Sequence, residues 1–77
     1  MEWNNDVKNE QGQLLNQWFL SYCYELGLTS LKECCELLGA ATMFYLQTSS
    51  EAIGVPMEKL REDFVESLNN AYFERND

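Results

Sequence analysis

Hydrophobic residues recur every three or four positions in three stretches of this chain, which is the spacing of one face of an α-helix. The first stretch, Gln13 to Leu26, predicts a helix with an apolar face formed by Leu15, Trp18, Phe19, Tyr22, Cys23 and Leu26. Gly27 follows, where a glycine fits a left-handed C-terminal cap. The sequence has no sustained alternation and no Asn-Gly turn, the signals of strands and hairpins. The pattern therefore predicts an all-α protein.

The second stretch opens at Ser30, which forms a capping-box pattern with Glu33. Its expected buried face comprises Leu31, Cys34, Cys35, Leu38, Ala41, Thr42 and Tyr45. Gly39 lies in the interior of this helix, where glycine costs about 1 kcal/mol relative to alanine. Close approach of another helix is the expected compensation.

The end of the second helix is left open by the sequence. The helix either ends near Gln47 or continues to Ile53. Thr48 and Glu51 have capping-box spacing, which favours a break and a short fourth helical turn near residues 48–53.

The third stretch begins after Gly54, at Pro56, because proline suits the first turn of a helix. A helix from Pro56 to Glu74 has an apolar face of Met57, Leu60, Phe64, Val65, Leu68, Ala71 and Tyr72. The expected fold is a small bundle of three main helices in a single domain, residues 13–77. The polar residues 1–12 are expected to form a flexible N-terminal arm.

Charge and aromatic content bear on the partners. The chain has 13 acidic and 5 basic residues and a net charge of −8. Affinity for nucleic acid and anionic membranes comes mainly from Lys and Arg, so we expect this chain to bind neither nucleic acid nor a membrane. The expected partner is a protein with a basic surface. The alternative is that the charge simply keeps a small protein soluble. Aromatic residues make up 13 %, more than one small core is expected to hide.

The residues that usually carry catalysis or hold metals are scarce. The chain has three cysteines, Cys23, Cys34 and Cys35, and no histidine. An odd number of cysteines indicates free thiols in a reducing cytoplasm, where they act as small hydrophobic residues. The alternative is that Cys34 and Cys35 form a redox pair. Without histidine, Cys-x-x-Cys or a glycine-rich phosphate loop, we expect no enzyme, no metal and no cofactor. The N-terminal stretch is no signal peptide, and no apolar run is long enough to span a bilayer.

An acidic row is the main candidate for a binding site. Glu58, Glu62 and Glu66 are spaced i, i+4, i+8 on the third helix, and Asn69 and Phe73 continue the row. The carboxylates step by about 6 Å, similar to the phosphates of one DNA strand, so they could occupy a basic groove. The alternative is a solvated helix face. Phe73 would anchor an interface, unless the helix frays before it or the ring folds back on the N-terminal arm.

A second candidate surface is apolar and suggests self-association. Leu20 and Tyr24 lie outside the main face of the first helix, and Met43 and Phe44 lie towards the far side of the second. Exposed apolar patches usually mark association sites, so these residues predict a homodimer or an obligate partner. The alternative is that the arm, with Trp3, covers one of the two spots.

One short segment resembles a known family. Residues 49–60, SSEAIGVPMEKL, are similar to the closing part of phage-repressor-type helix-turn-helix domains, where a Leu-Gly-Val-Pro type turn precedes the last helix. The resemblance implies a DNA-binding regulator. The second helix, however, holds only Lys32 as a basic residue between Ser30 and Gln47, too few for a recognition helix.

Three functions are therefore carried forward. The first is a non-enzymatic, acidic protein-binding module, acting as an inhibitor, adaptor or accessory subunit. Size and composition suit a bacterium or its phage, with a basic nucleic-acid-binding host protein in the cytoplasm as the partner. The second is a self-associating structural helical dimer. The third is a helix-turn-helix-like regulator.

Overall fold

The computed structural model describes the backbone of residues 1–76 and the side chains of residues 1–71. Three helices follow one another: α1 (Asn5–Glu25), α2 (Leu31–Ile53) and α3 (Met57–Asn76). No strand occurs in this part of the chain, and the predicted all-α class is confirmed. The chain divides into two compact units, Met1–Leu37 and Leu38–Asp77, with the boundary inside α2. The single domain expected over residues 13–77 stays a prediction.

The first helix begins earlier than its apolar pattern indicates. Asn4 is the N-cap of α1, and its side-chain oxygen accepts a hydrogen bond from the Val7 amide at 2.9 Å. The Asn4 carbonyl accepts the first helical bond, from the Lys8 amide, also at 2.9 Å. The predicted start at Gln13 is therefore wrong, and the expected N-terminal arm of residues 1–12 is helical from Asn5 onward. Asparagine is among the best N-cap residues, so the helix begins after Asn4 although the following residues have little apolar periodicity.

The first helix ends as predicted, at a left-handed glycine. Gly27 has φ of 77°. The Leu28 amide donates to the Cys23 carbonyl at 3.0 Å, and the Gly27 amide donates to the Tyr24 carbonyl at 3.0 Å. These two bonds define a Schellman motif, which satisfies carbonyls that the helix end would leave unpaired.

The second helix begins at the predicted cap. The Glu33 amide donates to Ser30 Oγ at 3.1 Å, and Ser30 Oγ donates to Glu33 Oε1 at 2.9 Å. The glutamate thus receives the serine hydroxyl rather than the serine amide, a variation on the expected capping box. The helix then continues without a break to Ile53, so residues 48–53 belong to α2 and form no separate fourth turn.

Glycine also ends the second helix. Gly54 has φ of 73°, and its amide donates to the Ser50 carbonyl at 2.9 Å. Ser50 Oγ donates to the Val55 carbonyl at 2.6 Å and fixes the connection. The Pro56 carbonyl accepts from the Lys59 amide at 3.1 Å, so proline stands at the start of α3 as predicted.

Each unit buries little apolar surface. In the first unit Cys23 is buried. The apolar residues that are half-buried there include Phe19, Leu28, Cys34 and Leu37. In the second unit Leu46 is buried, with Val55, Met57 and Leu60 half-buried. The rest of the predicted apolar faces is largely exposed: Leu15, Trp18, Tyr22, Leu26, Leu31, Cys35, Leu38, Ala41, Tyr45, Phe64, Val65 and Leu68. The periodicity therefore correctly predicted helices with apolar residues along one side, but it predicted more burial than the structure shows.

The expected close approach at Gly39 is wrong. Among the residues that the structure describes, no heavy atom lies within 4 Å of a Cβ atom built on Gly39, apart from its own helix surroundings. The glycine therefore carries a helix-propensity cost without a steric benefit.

Candidate interaction surfaces

The acidic row lies along one side of α3. Glu58, Glu62 and Glu66 are all exposed, as is Asn69. Since α3 is a regular helix, successive glutamates of the row are separated by about 6 Å along its axis. An open, shallow depression overlaps the lower part of the row and is lined by Arg61, Glu62, Val65, Glu66, Asn69 and Asn70. The structure therefore presents carboxylates, amides and one valine on a continuous surface of α3.

The basic residues of α3 leave the row largely uncompensated. Lys59 Nζ lies 3.1 Å from Asp63 Oδ1, and both side chains are more than half exposed. A hydrogen bond with Asp63 raises the pKa of Lys59, helped by the charge of Asp63 and more weakly by the carboxylates of Glu62 and Glu66. This is the only ion pair found within the described residues, so the glutamates of the row have no salt-bridge partner there.

The second basic residue of α3 is directed elsewhere. Arg61 Nη2 donates to Met43 Sδ at 3.8 Å. This contact joins the guanidinium to α2, although Arg61 also lines the depression beside Glu62 and Glu66. With these contacts, neither Lys59 nor Arg61 forms a salt bridge with the glutamates of the row.

Phe73 is the aromatic end of the row. The backbone of α3 extends to Asn76, so the helix includes position 73. The Phe73 side chain lies outside the described residues. Its proposed role as an interface anchor therefore stays a prediction.

The predicted self-association residues fall into two groups. Leu20 and Tyr24, on α1, are both exposed, with 85 % of Tyr24 accessible. Phe44 is 70 % exposed on α2, whereas Met43 accepts the Arg61 hydrogen bond and is less exposed. Met43 thus contributes to the packing of α2 with α3 within the second unit. Leu20 and Tyr24 belong to the first unit, and Met43 and Phe44 belong to the second.

A larger apolar surface on α1 was expected to be core. We define the α1 stripe as Leu14, Leu15, Trp18, Tyr22 and Leu26, all exposed and all within about one-third of the helix circumference. No charged residue occurs between Gln11 and Tyr24. The periodicity assigned Leu15, Trp18, Tyr22 and Leu26 to the interior, whereas Leu14 was not part of the predicted face. The uncharged run in a strongly acidic chain was the signal that could have distinguished this segment from the rest of the surface.

The thiols form one contact between helices of the first unit. Cys23 is buried on α1, and Cys34, which acts on its pKa, is half-buried on α2. Burial raises the pKa of Cys23, and the hydrogen bond with Cys34 adds to this. Cys35 is exposed. Cys34 therefore lies next to Cys23 of α1 rather than forming a pair with Cys35. This is the arrangement expected of a packed cysteine.

The segment that resembles a helix-turn-helix forms two helices joined by a short connection. It includes the end of α2, the left-handed Gly54 and the start of α3 at Met57. This geometry agrees with the turn that the resemblance implies. The helix after the turn carries the acidic row, which would repel DNA phosphates.

The part of the chain that the structure describes has neither a metal-binding cluster nor a membrane-spanning helix. No group of three or more Cys, Asp or Glu side chains among the described residues is arranged to hold a metal ion. None of the helices, over the residues that are described, is long and apolar enough to cross a membrane.

Comparison with known proteins gives no relative. No protein-family model matches this chain, and neither a curated protein nor a solved structure is significantly similar to it.

Proposed function

We propose that this protein is a non-enzymatic, acidic protein-binding module that occludes a basic surface on its partner. The observation that carries the proposal is the row Glu58, Glu62 and Glu66, which is exposed and has no salt-bridge partner among the described side chains. Exposed carboxylates without a salt-bridge partner are accessible to a cationic partner. Complementary potentials of this kind speed encounter and select the partner.

The partner we infer is a nucleic-acid-binding protein with a basic groove. The row repeats at about 6 Å, which is similar to the spacing of phosphates along a DNA strand. A groove that binds phosphates with Lys and Arg offers the complementary charges at that spacing. The protein would then act as an inhibitor, adaptor or accessory subunit, in the cytoplasm where its three free thiols stay reduced. A bacterium or its phage is the source we propose.

Charge variants test whether the row or the total charge is responsible. The row variant changes Glu58, Glu62 and Glu66 to Gln, and we expect it to retain far less of the basic partner from a bacterial lysate at low salt. The matched control removes the same number of charges elsewhere on the chain by changing Glu10, Glu36 and Glu51, all exposed, to Gln. The control should bind like the wild-type protein. Equal losses in the two variants would show that only net charge matters and would contradict the proposal.

Self-association as a structural dimer is the second candidate function. Exposure of Leu20, Tyr24 and Phe44 favours it, because these large apolar side chains are in contact with water in the single chain. Analytical ultracentrifugation tests this candidate directly. A strict monomer at high micromolar concentration would exclude it, and a dimer insensitive to Tyr24→Ala and Phe44→Ala would exclude this choice of residues.

A further inference from the structure

The α1 stripe is an exposed apolar surface of the first unit. Trp18 is 70 % exposed, Leu15 64 % and Tyr22 52 %. A large aromatic side chain can bury about 150–250 Å², so the five residues of the stripe together expose roughly 500 Å². Two such stripes in contact would bury about 1,000 Å² before the surrounding polar atoms are included, near the lower end of specific interfaces.

The distribution of charge selects a second copy of the chain as the occupant. Two copies of a protein with a net charge of −8 repel each other wherever acidic surfaces meet. Residues 11–24 contain no charge, so this part of α1 can approach its own copy without that penalty. A strongly basic partner, in contrast, would find no carboxylate to bind on the stripe between Gln11 and Tyr24.

The same charges select the relative direction of the two helices. In a parallel pair Glu10 would face Glu10 of the other copy, and Glu25 would face Glu25. In an antiparallel pair with its two-fold axis at Trp18, the uncharged segments cover each other along about 20 Å. Leu14 then lies opposite Tyr22 of the other copy, and Glu25 lies opposite Gln11, whose amide can donate to the carboxylate.

We propose that two copies of this protein associate through their α1 stripes as an antiparallel, two-fold symmetric pair centred on Trp18. The surface is separate from the acidic row on α3, so it does not rest on the proposed function. It also lies on a different side of α1 from Leu20 and Tyr24, since these two residues are rotated by about 140–180° from the centre of the stripe. The interface therefore differs from that of the second candidate function.

Two single variants with equal charge changes test the face. Trp18→Lys places a charge at the centre of the proposed interface, and Tyr24→Lys places the same charge outside it. Both side chains are largely exposed in the single chain, so neither change should reduce helix content in circular dichroism. By analytical ultracentrifugation we expect a wild-type dimer, at least about tenfold weaker association for Trp18→Lys, and little change for Tyr24→Lys.

A pair of opposite charges tests the antiparallel register. Leu14→Glu and Tyr22→Lys should each weaken the dimer, whereas the double variant should recover much of the loss, because position 14 meets position 22 of the other copy. The two positions lie about 12 Å apart along one helix, so an ion pair within a single chain cannot produce the recovery.

Several outcomes would overturn the proposal. A wild-type protein that stays monomeric at high micromolar concentration would exclude the pair altogether. A dimer weakened as much by Tyr24→Lys as by Trp18→Lys would place the interface elsewhere. A double variant no better than its single variants would exclude the antiparallel register.

Discussion

Cys23 shows how a single residue acts in this small protein. It is the buried thiol of α1, and burial together with the hydrogen bond to Cys34 raises its pKa above the ordinary value of 9.0. The neutral thiol is therefore the form that the folded unit accommodates, as expected of cysteine acting as a small hydrophobe. The contact ties the end of α1 to the beginning of α2.

The raised pKa predicts how stability responds to alkali. Below pH 9 the thiol is protonated in both folded and unfolded chains and contributes no pH dependence. Above pH 9 the unfolded chain loses the proton first, so the free energy of unfolding should fall as pH rises towards the folded-state pKa. Urea unfolding followed by circular dichroism from pH 8 to 10 measures this. The decline should be shallower in Cys23→Ala.

Cys35→Ala is the matched control for this prediction, because Cys35 is exposed. It should retain the wild-type pH dependence. If Cys23→Ala declines as steeply as Cys35→Ala, the buried thiol is not the group responsible.

The role of the cysteines was only partly predictable at the residue scale. Their odd number and the missing histidine indicated packed thiols rather than a metal site or a disulfide framework. The pairing of Cys23 with Cys34 was not predictable, because it depends on how α1 and α2 pack in the first unit. Cys34 and Cys35 are adjacent cysteines that the sequence does not distinguish. Their positions around the axis of α2 make Cys34 half-buried and Cys35 exposed.

At the scale of single elements, the helix ends follow local chemistry closely. Gly27 and Gly54 stop α1 and α2 with positive φ, and Ser30 caps α2. These ends were predictable because a cap depends on only a few neighbouring residues. The start of α1 was missed because Asn4 supplies its cap within a polar stretch that has little apolar periodicity.

Gly39 and Gly27 provide a contrasting pair of helix variants. Gly39→Ala should raise the free energy of unfolding by about 1 kcal/mol, because the added methyl group meets open space and alanine favours the helix. Gly27→Ala should lower it by about 1–2 kcal/mol, because φ at that position is 77° and an L-residue is strained there. Urea unfolding measures both. Destabilisation by Gly39→Ala would show that another helix approaches that position after all.

Across the whole molecule, the two candidate surfaces occur on different helices. The α1 stripe lies on a segment without charge from Gln11 to Tyr24, whereas α3 carries the row Glu58, Glu62 and Glu66. The excess of aromatic residues predicted a covered face, and this stays a prediction, since the structure shows large apolar side chains exposed in the single chain. The exposure of the predicted core face of α1 was not predictable, because helical periodicity gives the same signal for a core and for an interface.

The position of the acidic row was predictable from the sequence. Whether nearby basic residues form salt bridges with it was not. Its i, i+4, i+8 spacing placed it on one side of a helix, and the structure agrees. The sequence left open whether Lys59 or Arg61 would neutralise it. Only the structure shows Lys59 bound to Asp63 and Arg61 bound to Met43.

The measurement that tests the central claim most directly is capture of the partner from a bacterial lysate at low and at high salt, with double-stranded DNA as a competitor. We predict that a basic, nucleic-acid-binding protein is retained at low salt, because the acidic row is attracted to its groove. Salt should release it by screening exposed charges, and DNA should release it by occupying the same groove. A partner held equally well at high salt and unaffected by DNA would contradict the account, and so would the absence of any basic protein at low salt.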